Sequence, residues 1–206
     1  GSIMLDEDGG AEAMATAQHV LSAAGYHRYE VANYAKPDRE ALHNTRYWRG
    51  SSYLGIGAGA SSMMSTSLFR MVAPSLGIVS TPSLADIDRV RFSLTRDTDT
   101  YMKAASSELF EDEAIWFDLL REDEALLEDL MLSMRMTMGI SRARFAYIRQ
   151  RLKEHEIDAQ ALLDGLIADG LVRNEEFDGI SRYIPTESGW LLGNELFGRI
   201  WDARRG

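Results

Sequence analysis

The chain has 206 residues, of which 45% are hydrophobic, and it carries a net charge of −10 and no cysteine. This length supports one large or two small domains with cores of their own. The lack of cysteine excludes disulfides, thiolate zinc sites, a cysteine nucleophile and any cysteine-ligated iron–sulfur cluster within this chain. There is no run of about 18 apolar residues and no secretory-signal pattern, which favours a cytoplasmic protein. The opening Gly1 and Ser2 are typical of the scar that a protease leaves after tag removal.

Negative charge is concentrated in one stretch of the chain. Between Glu108 and Asp129 there are ten acidic residues and one arginine, a local net charge of −9. A polyanion such as DNA, or an anionic membrane surface, would be repelled there. We therefore expect no nucleic-acid partner.

The N-terminal part predicts an α/β order. Small and apolar residues recur at helical spacing over residues 11–24, and Gly25 stands where a C-terminal cap belongs. YHRYEVANYA, residues 26–35, is rich in aromatic and branched residues and predicts a strand that Pro37 ends. YLGIGAG, residues 53–59, predicts a second strand. Helix, glycine and strand in this order are half of an α/β repeat.

The stretch from Met63 to Glu108 contains short apolar runs, LFRMVAP, LGIVS and VRFSL. Pro74, Gly77 and Pro82 interrupt them. These features predict short strands and linker rather than long regular elements.

The C-terminal part predicts a mainly helical unit. Its predicted elements, in chain order, are a helix over residues 123–136 that stops at Gly139, a helix from the N-cap Ser141 to Glu154, a helix over residues 159–169 that closes on Gly170, a strand, a turn at Asp178-Gly179, a strand ISRYIPT and a last helix. Three helices followed by a β-hairpin and another helix is the order of a winged-helix domain.

A winged helix raises the alternative of a DNA-binding module. In a DNA-reading member the third helix enters the major groove and presents basic or amide side chains. Here the third helix carries Asp158, Asp164 and Asp169, and Gln160 is its only candidate base reader. Because these acids would face phosphates, we expect the domain to pack against protein or to cover a site instead.

Three glycines alternate in YLGIGAG. Gly55, Gly57 and Gly59 do not have the G-x-G-x-x-G spacing of a dinucleotide fingerprint, and no acidic ribose partner follows at the expected distance. Glycine at every second strand position leaves one face of the strand bare. Either a neighbouring strand packs closely there or a ligand approaches the backbone.

HNTRYW, residues 43–48, combines a histidine with two aromatic residues. His43 is a candidate metal or heme ligand, or a loop histidine that caps backbone. Tyr47 and Trp48 would be core or rim aromatics, or would stack on a flat macrocycle. Arg46 and Arg49 would pair with carboxylates, including propionates, or remain solvated.

Four methionines stand close together near the end of the first C-terminal helix. They are Met131, Met134, Met136 and Met138. Thioether ligation of heme iron is one alternative, but flexible apolar side chains at a helix end are more typical of a core or an interface.

Several motifs resemble one known family. HNTRYW matches the H-N-x-x-Y-W signature of the HemW heme-chaperone branch of the radical S-adenosylmethionine proteins related to oxygen-independent coproporphyrinogen III oxidase. GYHRYEVANYAKP resembles the family's G-Y-x-x-Y-E-[IV]-S-N-[FY]-A-K-P, and YLGIGAGA resembles its Y-L-G-[IL]-G-x-G-A. EDLMLSMRMTMGIS is similar to its E-x-x-[ML]-L-G-L-R-x-x-x-G-[IV], and GLIADGLV with IPTESGWLLGNELF is similar to its final segment. The resemblance covers most of residues 11–200.

The resemblance implies an α/β plus α+β fold. Residues 1–75 would be the C-terminal remnant of a partial (β/α) barrel, residues 76–112 a linker with short strands, and residues 113–206 a winged-helix-like, mainly helical C-terminal domain. The family's barrel begins with C-x-x-x-C-x-x-C, whose cysteines hold a 4Fe-4S cluster, whereas this chain begins at what would be the last barrel helix. We therefore expect a C-terminal fragment or a truncated homologue that by itself does not cleave S-adenosylmethionine.

The resemblance also implies site residues. In the family the glycine-rich segment lies near bound S-adenosylmethionine, which makes candidate cofactor neighbours of Gly57, Gly59, Ala60 and Ser61. Members of the HemW branch often have histidine at the position of Ser61, which weakens a heme site with two histidines. His43 remains the candidate ligand of heme iron.

Asn44, Tyr47 and Trp48 would be its neighbours in the heme region. The preferred function is the binding of heme and its delivery to hemoproteins. The alternatives are oxidative decarboxylation as an oxygen-independent coproporphyrinogen III oxidase, and a winged-helix interaction or DNA-binding module.

The expected partners follow from the preferred function. They are heme or a porphyrin, an acceptor hemoprotein and the missing N-terminal barrel portion. The acceptor could be a membrane-associated protein, although this chain has no membrane segment. Missing barrel strands would leave an exposed sheet edge, which predicts a homodimer or strand exchange.

Overall fold

A computed structural model describes residues 7–177 and 179–204. Gly1 and Ser2, read above as a tag scar, lie outside the described residues. The chain forms two compact units. The split unit combines residues 1–49 with residues 129–206, and the middle unit consists of residues 50–128.

Helices and strands alternate irregularly along the chain. In chain order the elements are α1 (Glu7–Ala23), β1 (His27–Arg28), β2 (Tyr34–Ala35), α2 (Leu42–Trp48), β3 (Ser61–Ser65), α3 (Thr66–Val72), a 3-10 turn (Ala73–Leu76), β4 (Arg89–Leu94), α4 (Thr98–Ser107), β5 (Ile115–Leu120), α5 (Glu122–Ser133), β6 (Ile140–Ser141), α6 (Arg142–Lys153), α7 (Ala159–Ala168), β7 (Val172–Phe177), β8 (Ile180–Pro185), α8 (Glu187–Leu191) and α9 (Gly193–Asp202). Helix and sheet are thus mixed, as the sequence predicted.

The single strand predicted for YHRYEVANYA is wrong, because this stretch is a tight hairpin. β1 and β2 pair antiparallel over two residues each. The Glu30 carboxylate causes the reversal: it accepts hydrogen bonds from the Ala32 backbone N–H (3.1 Å) and from the Asn33 amide. Glu30 is only 1% exposed, so these bonds form away from water. A buried carboxylate that turns the chain is a tertiary feature, which composition alone does not reveal.

The C-terminal part of the split unit follows the prediction closely. Ser141 caps α6 by accepting a hydrogen bond from the Arg144 N–H, and Gly170 ends the α7 region with φ of +70°. Within the described residues, β6, β8 and β7 form an antiparallel sheet in that order. Asp178, in the predicted turn, lies outside the described residues.

The predicted last helix is divided in two. Leu192, with φ −94° and ψ 36°, separates α8 from α9. The fully buried side chains of this helical layer come from three helices, α6, α7 and α9, and from the segment before β7: Ile148, Leu152, Leu163, Leu166, Leu171, Leu196 and Ile200.

The middle unit is an antiparallel sheet with strand order β3-β4-β5. Its core includes three aromatic rings whose centroids lie about 6 Å apart, Phe69, Phe92 and Phe117. VRFSL forms β4, as predicted. LFRMV, expected to be a strand, lies in α3, because Ser65 caps the helix by accepting a hydrogen bond from the Leu68 N–H. The sequence did not predict β5 or α4.

The second strand predicted over residues 53–59 is also wrong. Only Tyr53 forms an isolated bridge, to Met63, and the regular strand begins at Ser61. Gly57 and Gly59 have φ of +109° and +73°, which a strand does not accommodate. The glycines therefore turn the chain ahead of β3 instead of clearing one face of it.

The predicted domain boundaries at residues 75 and 112 stay predictions. The compact units divide elsewhere, after residues 49 and 128, and the second division falls within α5. The stretch 76–112, expected to be linker with short strands, contains β4 and α4. Among the described helices, none combines the length and apolar character needed to cross a membrane.

The Glu30 turn generates a prediction on stability. Replacing Glu30 by Ala leaves two donors without their acceptor, so we expect the free energy of unfolding to fall by about 1–3 kcal/mol. Glu30→Gln keeps an acceptor oxygen and should lose less. Urea denaturation of both variants measures the difference, and equal losses would show that the hydrogen bonds do not hold the turn.

Candidate functional site

The HNTRYW stretch forms α2, and the helix divides the stretch into two faces. His43 and Tyr47 are four residues apart and exposed, whereas Asn44 and Trp48 are four residues apart and half-buried. The Tyr47 and Trp48 rings meet edge to face with centroids 4.9 Å apart. His43 therefore lies in a helix, not in the loop that one sequence alternative assumed.

The half-buried face of α2 is held by an arginine stacked between two rings. The Arg135 guanidinium carbon lies 4.4 Å from the Trp48 ring centroid and 5.2 Å from the Phe197 ring centroid. Such cation–π contacts stabilise by about 0.5–2 kcal/mol each, more when water is excluded. The Arg135 Nε and Trp48 Nε1 atoms are buried without a hydrogen-bond partner in the structure, so stacking is the contact that stabilises these groups.

Trp48 also forms part of a cleft of about 410 Å³ in the split unit. This volume lies in the range of small-molecule sites. The cleft is lined by Trp48, Arg49, Asp129, Ser133, Met136, Met138, Gly139, Ile140, Ser141, Arg144 and Arg182. Its lining thus combines an indole, apolar side chains and three arginines with one carboxylate.

The three arginines differ in their partners. Arg144 forms an ion pair with Asp129 at 2.7 Å. Arg182 donates to the Met138 backbone carbonyl at 3.2 Å and has no carboxylate partner among the described residues. The guanidinium of Arg49 has no ion pair or hydrogen bond with any described residue. The cleft is therefore positive, although the chain as a whole is acidic.

The segment between α5 and β6 supplies the apolar wall and is fixed from several sides. The Val31 N–H donates to the Arg135 carbonyl at 2.9 Å, and the Thr137 N–H donates to the Tyr29 carbonyl at 3.1 Å. The Trp190 indole N–H donates to the Met134 carbonyl at 3.1 Å. These contacts join the β1–β2 hairpin and α8 to one short segment.

The methionines fit the core alternative of the sequence analysis. Met134 and Met136 are buried, at 0% and 6% exposure. Met136 and Met138 line the cleft, where their side chains contribute apolar surface.

The residues expected near S-adenosylmethionine lie in the middle unit. Gly57 has open space around the position a Cβ would take, whereas a Cβ on Gly55 would come within 2.3 Å of the Ser61 carbonyl oxygen. Close backbone packing thus accounts for Gly55. The Ser61 and Ser93 hydroxyls are hydrogen-bonded at 2.7 Å. Ala60 is half-buried, and its carbonyl accepts from the Leu94 N–H.

His27, which sequence patterns did not explain, pairs with Glu40 just before α2. The two side chains are 2.7 Å apart. The pKa of the Glu40 carboxyl is lowered, first by a hydrogen bond to its own backbone and then by the His27 imidazole. A lowered pKa favours the charged carboxylate in the fold, so any stabilisation is present above the unfolded pKa and is lost as the pH falls through the folded pKa.

Two cleft residues, Arg144 and Arg182, and the arginine that stacks on Trp48, Arg135, received no role from the sequence motifs. Arg135 belongs to a motif that was quoted without a role for it, and Arg144 and Arg182 were read only as parts of a helix and a hairpin. Arg182 reaches the cleft because β8 pairs with β6 so that Arg182 lies opposite Ser141. Strand register of this kind has no signal in a single sequence.

Gly139 in the cleft generates a second prediction. Its φ is +50°, and a Cβ there would lie 2.0 Å from the Tyr183 carbonyl oxygen. Gly170 has φ of +70° with nothing within 4 Å, so Gly170→Ala is a matched control for backbone strain without the clash. We expect Gly170→Ala to cost about 1–2 kcal/mol, and Gly139→Ala to cost about 1–3 kcal/mol more because β8 must move. Guanidinium denaturation measures both, and equal losses would contradict the close packing at Gly139.

Comparison with known proteins finds several similar proteins. The heme chaperone HemW of Synechocystis sp. is 32% identical over 136 residues, which are 66% of this chain and 27% of that protein. The heme chaperone HemW of Bacillus subtilis is 29% identical over 178 residues, 86% of this chain and 39% of that protein. This chain therefore spans well under half the length of these curated relatives. No family model matches it.

One solved structure shares the fold. Coproporphyrinogen III oxidase (HemN) from Escherichia coli, a radical SAM enzyme, matches with a TM-score of 0.58 and 17% identity, covering 95% of this chain and 42% of that chain. At this identity the match shows the fold alone. Together with the motifs quoted above, the HemW relatives and this neighbour support a HemW/HemN-like radical S-adenosylmethionine family for the chain.

Proposed function

We propose that this chain is part of a HemW-like protein that binds heme and delivers it to hemoproteins. The observation that carries the proposal is the geometry of α2. Its exposed face presents the His43 imidazole, which has no hydrogen-bond partner among the described residues, and its C-terminal end places Trp48 in the wall of the cleft. The curated relatives named above are heme chaperones, which supports the same function.

His43 is the proposed ligand of heme iron. An exposed neutral imidazole can donate a nitrogen lone pair to iron. Tyr47, one turn away, and Trp48 supply aromatic surface against which a flat macrocycle can lie. Asn44, on the half-buried face, completes the proposed heme region.

The cofactor of the intact family is a separate proposal. Gly57, Gly59, Ala60 and Ser61 would lie beside S-adenosylmethionine in the full-length protein, and the open space at Gly57 supports this. The residues of this chain do not fit a 4Fe-4S cluster: the sequence has no cysteine, and its described part has no group of three metal-ligating side chains. Cluster ligands would have to come from the N-terminal barrel portion, which we propose as a partner of this chain.

The C-terminal elements are proposed to form a winged helix that acts as a docking surface or a cover. The order of α5, α6 and α7 and the sheet order β6-β8-β7 support this assignment. Gln160, the one candidate base reader, accepts a hydrogen bond from Arg149 and donates one to Asp164. Both ends of its amide are thus occupied, which favours a protein partner, such as the acceptor hemoprotein, over DNA.

The coproporphyrinogen oxidase alternative receives less support. The likeness to the oxidase concerns the fold alone, while the HNTRYW signature points to the chaperone branch. A homodimer through a sheet edge also stays a proposal.

Heme titration tests the role of His43. Wild-type protein should shift the Soret band of heme, and His43→Ala should remove or alter that shift because the iron loses its imidazole ligand. His19→Ala is the matched control, since His19 is also an exposed helix histidine. Spectra that are the same for wild type and His43→Ala would exclude His43 as the ligand, and an equal change in both variants would indicate nonspecific binding.

A further inference from the structure

Two cations in the cleft have no anionic partner among the described residues. The Arg49 guanidinium makes no ion pair with the described residues. Arg182 donates one hydrogen bond to the Met138 carbonyl. Glu175 lies opposite Arg182 across the β7–β8 pair, but its carboxylate binds Arg173 at 2.6 Å. The Nε atom of Arg182 is buried and has no acceptor in the part of the chain that the structure describes. Arg182 is half-buried, and a half-buried charge without a partner costs free energy, so its position favours the binding of an anion. Arg49 is exposed and adds a second positive charge beside it.

The ion pair between Arg144 and Asp129 determines how many positive charges in the cleft a ligand would have to neutralise. Asp129 neutralises Arg144, and its side chain is only 9% exposed. With that pair neutral, the lining has an excess of two positive charges, on Arg49 and Arg182. Two ligand carboxylates would balance them.

The walls define the rest of the ligand. Trp48, Met136, Met138 and Ile140 provide aromatic, thioether and aliphatic surface beside the cations. A small inorganic anion would leave this surface exposed to water, whereas a large apolar body would cover it. The lining thus suits a flat apolar molecule that bears carboxylates at its edge.

We propose that this cleft binds the carboxylate side chains of a dicarboxylate porphyrin, with Arg49 and Arg182 as their partners. The inference rests on the proposed heme function but concerns different atoms. His43 does not line the cleft, so contact with the carboxylates is independent of iron ligation. Arginine suits this role because its planar donors match the two oxygens of a carboxylate.

Metal-free protoporphyrin IX separates the two contacts, because it keeps both carboxylates and has no iron to ligate. Its binding is measured by fluorescence, together with that of its dimethyl ester. We expect the free acid to bind wild type more tightly than the ester, and Arg49→Gln to weaken binding of the acid about tenfold, the loss of one charge-assisted hydrogen-bonding partner. The affinity for the ester should hardly change in this variant.

Arg46→Gln is the matched control, because Arg46 lies in the last turn of α2, whose C-cap is Arg49, is exposed and does not line the cleft. It should bind the free acid like wild type, and Arg49→Lys should restore part of the affinity. Arg182→Gln should weaken binding as well, with circular dichroism checking that the variant folds. Since Arg49 is exposed, its variants test the proposal even if Arg182→Gln unfolds.

The outcomes are distinguishable from those of the heme titration. Equal affinities for acid and ester, or equal losses in Arg49→Gln and Arg46→Gln, overturn the cleft assignment and leave heme binding through His43 intact. The same holds if heme shows a His43-dependent Soret shift while metal-free porphyrin does not bind. If neither heme nor porphyrin binds, the proposed function and the cleft assignment both fail.

Discussion

The split unit depends on one stacked arginine. Arg135 lies between the rings of Trp48 and Phe197, and its backbone carbonyl accepts a hydrogen bond from Val31. One residue thus connects α2, α9 and the β1–β2 hairpin. Planar, delocalised charge suits this position, since a guanidinium stacks on two ring faces at once whereas an ammonium does not. The cost is two buried N–H groups, one on Arg135 and one on Trp48, that have no acceptor among the described residues.

Charge is partitioned along this chain. The acidic stretch between Glu108 and Asp129 carries most of the negative charge, and part of it is neutralised locally, since Arg91 pairs with Asp118 and Glu128 within the middle unit. The cleft in the split unit has the opposite sign because it collects arginines from separate parts of the chain. A site of one sign in a chain of the other attracts ligands with the complementary charge. Net charge alone, which argued against polyanions, therefore says little about a small anionic ligand.

The sequence predicted elements whose signals are local. The start of α6 at Ser141 and the end of α7 near Gly170 follow from capping chemistry that is complete within a few residues. The hairpin at Glu30 could not be predicted, because its turn depends on a carboxylate whose burial is decided by distant segments. The strand predicted for YLGIGAG is wrong for a related reason. Glycine at every second position suggested a strand, but positive φ angles at Gly57 and Gly59 turn the chain there.

The residues of the candidate site likewise fall into those that a local motif suggested and those that it did not. His43 and Trp48 were proposed from the sequence because they stand in one motif and have recognisable chemistry. Arg144 and Arg182 were not, because α6 and the register of β8 bring them to the cleft from other parts of the chain. A single sequence records which residues are arginines but not which of them lack a carboxylate partner.

The short helix α2 carries both the histidine and the tryptophan of this signature. With seven residues, an N-cap at Ala41 that makes no side-chain hydrogen bond, and no acidic residue in its first turn, α2 has little intrinsic stability. Its conformation and direction must therefore come from tertiary contacts, of which the stacking of Trp48 on Arg135 is the main one at the end of the helix. The position of the helix that carries His43 thus depends on an aromatic residue five positions away. The tryptophan of HNTRYW consequently has two roles that cannot be separated: it forms a wall of the cleft, and it positions the helix that presents the histidine.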